Sequence, residues 1–166
     1  MAIKDALLPE FDREMAVTRT LLARTPLEEA DWRPHPRSMS LGALAGHLVD
    51  IPGWAPVILQ QDRFVMNEDG DGAASKYTST DAMLADFDRN VARARELIDA
   101  AGDAHLVQPW TLEQDGETLL TMPRLAVVRA FLFSHAIHHR GQLSVYLRLR
   151  EVKIPSIYGP SADDPL

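Results

Sequence analysis

The sequence predicts an all-α fold: a four-helix bundle with a small β-hairpin in the crossover between the third and fourth helices. Three observations carry this prediction. Apolar residues recur every three to four positions in long windows. Runs rich in proline, glycine and polar residues separate those windows. One stretch, Trp110 to Leu120, instead looks extended around an Asp115-Gly116 pair, a hairpin signal.

The first helix is expected from about residue 2 to 24, with Ile3, Leu7, Phe11, Met15, Thr18 and Leu22 on one stripe and Pro9 kinking or detaching its first turns. Pro26, Pro34 and Pro36 keep Thr25 to Met39 out of helix. Ser40 then fits the N-cap of a second helix, which carries Leu41, Leu44, His47, Leu48 and Ile51 on one side before Pro52 and Pro56 bend it. Residues 67 to 79 read as a polar loop; their Asp-x-Asp-Gly pattern lacks the downstream ligands and terminal glutamate of a calcium loop. Thr80 is expected to cap a third helix with Leu84, Phe87, Val91, Ala94 and Ile98 buried, ending near Gly102. After the hairpin, a fourth helix runs from about Pro123 to Arg150, its inward stripe being Leu125, Val128, Leu132, His135, His139, Leu143 and Tyr146. The proline-rich tail from Lys153 is expected to lie along the surface.

Composition bounds the chemistry. The 166 residues suit one domain, spanning 1–166, with 46% hydrophobic and 25% charged residues. The chain has no cysteine, which excludes disulfides, zinc ribbons and a thiol nucleophile of its own. Any metal must be held by nitrogen and oxygen. A formal charge of −7 argues against nucleic acid as a partner, since a phosphate-backbone binder needs a basic face. Arg124, Arg129, Arg140, Arg148 and Arg150 read as solvated arginines spread around a helix. No apolar run approaches the length of a membrane span, so no membrane partner is expected and the location is read as cytoplasmic.

The chemical signal is histidine. His135 and His139 stand four apart in the fourth helix, one above the other on one face, a preformed half-site for a divalent transition metal. A third ligand must come from elsewhere. His47 shares a stripe with Leu44 and Ile51 and so points into the bundle, where an unpaired imidazole is costly; His35 and His105 lie in or beside loops. His138 competes with His139 as partner of His135: His139 shares the Leu132, Leu143 and Tyr146 stripe, whereas His138 aligns with Phe131, Gln142 and Val145.

Several fragments together resemble the DinB/YfiT-like proteins: Leu41-Gly-x-Leu-Ala-Gly-His47-Leu, His135-x-x-x-His139-Arg-Gly-Gln, Ile157-Tyr-Gly-Pro, and Trp32-Arg-Pro-His-Pro. The resemblance spans nearly the whole chain. It implies a four-helix bundle in which His47, His135 and His139 bind one divalent metal, zinc or nickel foremost, and it selects His139 over His138. It also implies frequent pairing as homodimers, and a function drawn from a family that includes transferases of small thiols such as bacillithiol or mycothiol.

Three histidines leave at least one coordination position open, as in catalytic rather than structural zinc sites. The leading expectation is a metal-dependent enzyme acting on a small-molecule substrate, a thiol-dependent S-transferase using an external low-molecular-weight thiol. A metal-dependent hydrolase with a metal-bound hydroxide is the runner-up. A non-catalytic, stress-responsive protein binding a metal or small ligand is the alternative of a different class. Around the ligands, Asp50 is placed to accept from an imidazole or to face solvent. Arg140 and Gln142 flank the site, Arg140 otherwise forming an ion pair between helices or at the surface. Trp54 and Tyr146 either line the pocket or belong to the core.

Overall fold

The protein was analysed as a computed structural model that describes residues 2–66 and 77–165. The acidic loop motif falls largely on residues 67–76 and lies outside them. Helix α1, Ile3–Leu22, continues through Pro9 as one element, with Leu7, Phe11, Met15, Leu21 and Leu22 buried. Its start is closed by Asp5, whose carboxylate accepts from the Ala2 N–H at 2.8 Å. Helix α2, Leu41–Asp50, begins at Ser40 as expected, the Ser40 hydroxyl accepting from the Ala43 N–H at 3.2 Å. At Pro52 the chain tightens into a 3-10 turn, Ile51–Trp54, and resumes as α3, Ala55–Gln60. Helix α4, Thr80–Ala100, is capped by Ser79, one residue earlier than expected. A short α5, Asp103–Leu106, follows it.

The expectation of an all-α four-helix bundle is overturned. Of the described residues, 61% are helical and 11% lie in strands, and the strands form a three-stranded mixed sheet. The hairpin is present: β2, Pro109–Gln114, pairs antiparallel with β3, Glu117–Pro123. Asp115 and Gly116 turn it with φ of 52° and 81°, a two-residue connection that matches strand twist. A further strand, β1, Arg63–Met66, pairs parallel with β2 in the register Arg63 to Thr111 through Met66 to Gln114. Parallel strands need a long crossover, and here the crossover contains α4 and α5. A four-residue strand whose partner lies that far along the chain leaves only a faint local pattern, which is why sequence periodicity passes over it. The helical part is also more divided than a bundle of four rods, since the second expected helix breaks at Pro52.

The last helical segment is not uniform either. It opens as α6, Arg124–Val127, passes through a π-helical stretch, Val128–Ser134, and continues as α7, His135–Leu149. The His135 N–H donates to the Ala130 carbonyl, an i to i−5 bond. Such a stretch adds a residue to a turn and shifts the phase of every side chain after it. The buried side of these segments carries Val128, Leu132, Ala136, Arg140, Leu143, Tyr146 and Leu147, and His135 and His139 sit beside them, half-buried.

Two of the five arginines expected in solvent are buried. Arg124 donates to the carbonyls of Ile58 and Gln61 and to the Asp62 carboxylate, tying the end of α3 to the start of the last helical segment, while its own Nε has no partner. Arg140 is discussed below. The segment Leu41–Gln60 is long and apolar enough by composition to cross a membrane, with mean hydropathy 1.2, in contrast to the expectation of no such run. Its Leu41, Leu44, Leu48, Val49, Ile51, Ala55 and Ile58 are buried in the hydrophobic core.

Candidate metal centre

Helix α2 and helix α7 pack together and bring His47 against His135 and His139. One ligand nitrogen from each imidazole lies within 4.8 Å of the others. His47 Nε2 is 2.9 Å from His135 Nε2, and the ring centroids are 5.0 Å apart for His47 and His135, 4.5 Å for His47 and His139, and 4.6 Å for His135 and His139. Two nitrogens at about 2.0–2.1 Å from one ion stand about 3 Å apart when they occupy neighbouring positions. The separation seen here fits.

The site also favours the protonation state that binds metal. Burial, then the neighbouring His139, holds the His47 imidazole down at about 4. Burial, then His139, His47 and His138, brings His135 to about 4 as well. His139 is likewise lowered, chiefly by burial, with a hydrogen bond to Gln142 opposing the shift. All three rings are neutral at pH 7, so no proton must be displaced before a nitrogen lone pair meets a cation. That hydrogen bond, 2.7 Å from His139 Nδ1 to Gln142 Oε1, requires Nδ1 to carry the proton and leaves Nε2 as the free donor atom. Three imidazoles and no thiolate suit zinc, nickel, copper or iron.

The other candidates separate cleanly. Gln142 is the residue that bonds His139. Trp54 stands edge-on to two of the three histidines, its ring centroid 5.5 Å from that of His47 and 5.2 Å from that of His135. Tyr146 turns to the core, 92% of its surface covered, with its ring against Trp32 at 5.6 Å and its hydroxyl donating to the Met39 carbonyl at 3.3 Å. Asp50 makes no hydrogen bond to the histidines; burial, then the Asp86 carboxylate on α4, raises its carboxyl. His138 is exposed, its ring 4.9 Å from that of His139. His105 pairs with the Leu59 carbonyl at 2.9 Å, and His35 Nδ1 accepts from the Arg37 N–H at 3.1 Å.

Arg140 points away from the site. Its guanidinium, only 1% exposed, bonds the Glu14 carboxylate at 2.5 Å, the Glu14 carbonyl at 2.9 Å and Thr18 Oγ1 at 3.3 Å on α1. From the tail, Tyr158 accepts from Arg140 at 2.5 Å and donates to Glu14 at 2.7 Å. Burial would push the Glu14 carboxyl up, but bonds from Tyr158, Arg140 and Arg13 outweigh it and hold the group low. Sequence reasoning did not find Glu14 or Tyr158 as partners, because a lone glutamate on an amphipathic helix and a tyrosine in a loop carry no signal of each other.

Fold and site together define a helix-rich mixed α/β protein with a three-histidine centre able to hold a metal ion. The chain matches the DinB superfamily over residues 10–143 and belongs to that superfamily. Its fold is similar to that of a DinB-like protein from Bacillus cereus ATCC 10987, with TM-score 0.70 and 22% identity over 95% of this chain and 98% of that one. It is also similar to a DinB-like protein from Bacillus subtilis, with TM-score 0.67 and 19% identity over 92% and 97% of the two chains. Curated proteins provide no match.

Proposed function

We propose that this protein binds one divalent transition ion, zinc or nickel, through His47, His135 and His139, and serves as a metal-dependent S-transferase for an external low-molecular-weight thiol. One observation carries the reading. Three half-buried, neutral imidazoles converge with no fourth histidine, aspartate or glutamate grouped with them among the described residues, in a chain that has no cysteine. When bound, the ion supplies Lewis acidity at its open side, favouring the deprotonated form of a thiol there. In the transfer the sulfur forms a bond to an electrophilic carbon of the small-molecule substrate, the leaving group departs with the electron pair of the broken bond, and the thiol proton goes to solvent.

The chain's own residues support that role without taking part in bond making. Gln142 holds the His139 tautomer, burial keeps the imidazoles uncharged, and Trp54 covers one side of the pair formed by His47 and His135. The hydrolytic reading needs a base near the ligands, and Asp50 has no hydrogen bond to any of them. The test begins with metal analysis of untagged protein, followed by thiol consumption with a panel of electrophiles, comparing metal-loaded, metal-free and His139→Ala protein. Metal-dependent thiol consumption is expected. Thiol consumption that ignores the metal refutes the transfer, and an untagged protein that neither carries nor is stabilised by a divalent ion refutes the site.

A further inference from the structure

The three tryptophans are used differently. Trp110 is 3% exposed and its indole N–H donates to the Val57 carbonyl at 3.2 Å. Trp32 packs edge-on against Tyr146, with the Arg150 guanidinium over its ring at 5.3 Å. Trp54 is half-buried and packs against the hydrophobic core, its aromatic neighbours among the described residues are two of the three candidate ligands, and its N–H, like that of Trp32, has no hydrogen-bond partner among them. That N–H is also not sealed from solvent, since among the described residues Arg124 Nε is the one buried side-chain polar atom without a partner. What sets Trp54 apart from the other two tryptophans is its place, since its ring partners belong to the histidine cluster while theirs are Tyr146 and Phe131.

The turn that carries it is braced by its neighbours. Trp54 ends the 3-10 turn Ile51–Trp54, which Pro52 enters and Pro56 follows. Asn90 of α4 donates to the Val49 carbonyl at 2.9 Å and lies against Gly53 so closely that an added Cβ would meet its amide nitrogen at 3.3 Å. The indole is therefore presented by a braced turn and not by a loose loop.

We infer that Trp54 is the specificity wall of the histidine centre, selecting substrates that carry a flat aromatic or conjugated group next to the atom that occupies the open coordination position. The ring supplies edge or face contact to that group, and the free N–H supplies a donor to an oxygen beside it. This inference rests on the metal-binding reading above and names the substrate class of the same site.

Two hydroxamic acids test it, since they share one metal-chelating head and differ in the group attached to it. Calorimetry on zinc-loaded protein should show benzohydroxamate binding about tenfold more tightly than acetohydroxamate, the size expected for one well-placed aromatic contact together with apolar burial. Trp54→Leu, which keeps the wall apolar without a ring, should reduce that preference to less than about threefold, a zinc titration of the same variant reporting separately that the ion is still held. Trp54→Phe should keep most of it. Equal binding of the two hydroxamates to the wild type, or a preference that survives Trp54→Leu, overturns the role of Trp54 and leaves the metal site standing. Failure of both hydroxamates to bind zinc-loaded protein removes the open position itself, and failure of zinc to bind removes the proposed function; the inference falls with either.

Discussion

Arg140 follows His139 in the chain yet faces the opposite way, and replacing it should damage the fold far more than its place beside a candidate ligand suggests. The Arg140 and Glu14 side chains are 1% and 2% exposed. Arg140→Ala would leave the Glu14 carboxylate buried beside Tyr158 and Thr18 with its main counter-charge gone. Removing one partner of a buried pair costs about 3–5 kcal/mol, because the survivor keeps its desolvation penalty and loses the attraction that offset it. For a domain of this size that corresponds to a fall in Tm of about 6–20 °C. The double variant Arg140→Met with Glu14→Leu removes both charges and refills the space, and should recover most of the loss. Urea denaturation of the metal-free protein, followed by circular dichroism, measures these variants, and a double-mutant cycle completed by the single variants Arg140→Met and Glu14→Leu gives the coupling. The reasoning fails if Arg140→Ala costs less than about 1 kcal/mol, or if the double variant is no more stable than the worse single one.

Three further outcomes follow from the geometry. His47→Ala, His135→Ala and His139→Ala should each abolish stoichiometric zinc or nickel binding, while His138→Ala keeps it and Gln142→Ala weakens it by about 10–100-fold through loss of tautomer control; metal titration of the variants distinguishes these. In metal-free protein, His47 and His135 titrate near 4 when folded and near 6.5 when unfolded. The unfolded chain therefore binds more protons between those values, and stability is lost as pH falls from about 6.5 toward 4. Tm measured across that range should fall more steeply for wild type than for His47→Gln combined with His135→Gln. Finally, α7 ends in a Schellman arrangement, Val152 N–H donating to the Leu147 carbonyl at 2.9 Å, which places Glu151 at a left-handed φ of 59°. Glu151→Gly should stabilise the protein by about 1 kcal/mol, readable as a rise in the urea midpoint.

Much of this protein is legible along the chain because the relevant physics is local. Ser40 caps α2 through a hydroxyl three residues from its partner N–H, Asp115 and Gly116 close a two-residue turn, and Pro52 breaks a helix by lacking a donor. The absence of cysteine limits any metal to nitrogen and oxygen donors, and the spacing of His135 and His139 places two imidazoles on one face. Tertiary structure decided the rest, because the deciding contacts join distant residues. His47 meets His135 across 88 positions, and only the packing of α2 on α7 makes three histidines one site. The parallel pairing of β1 with β2 turned an expected helical bundle into a mixed fold, since strand pairing depends on which chain segments meet and not on either segment alone. Arg140 lies buried on the last helical segment because its charge meets Glu14 on α1 and Tyr158 on the tail, partners that no local stretch of sequence brings to it.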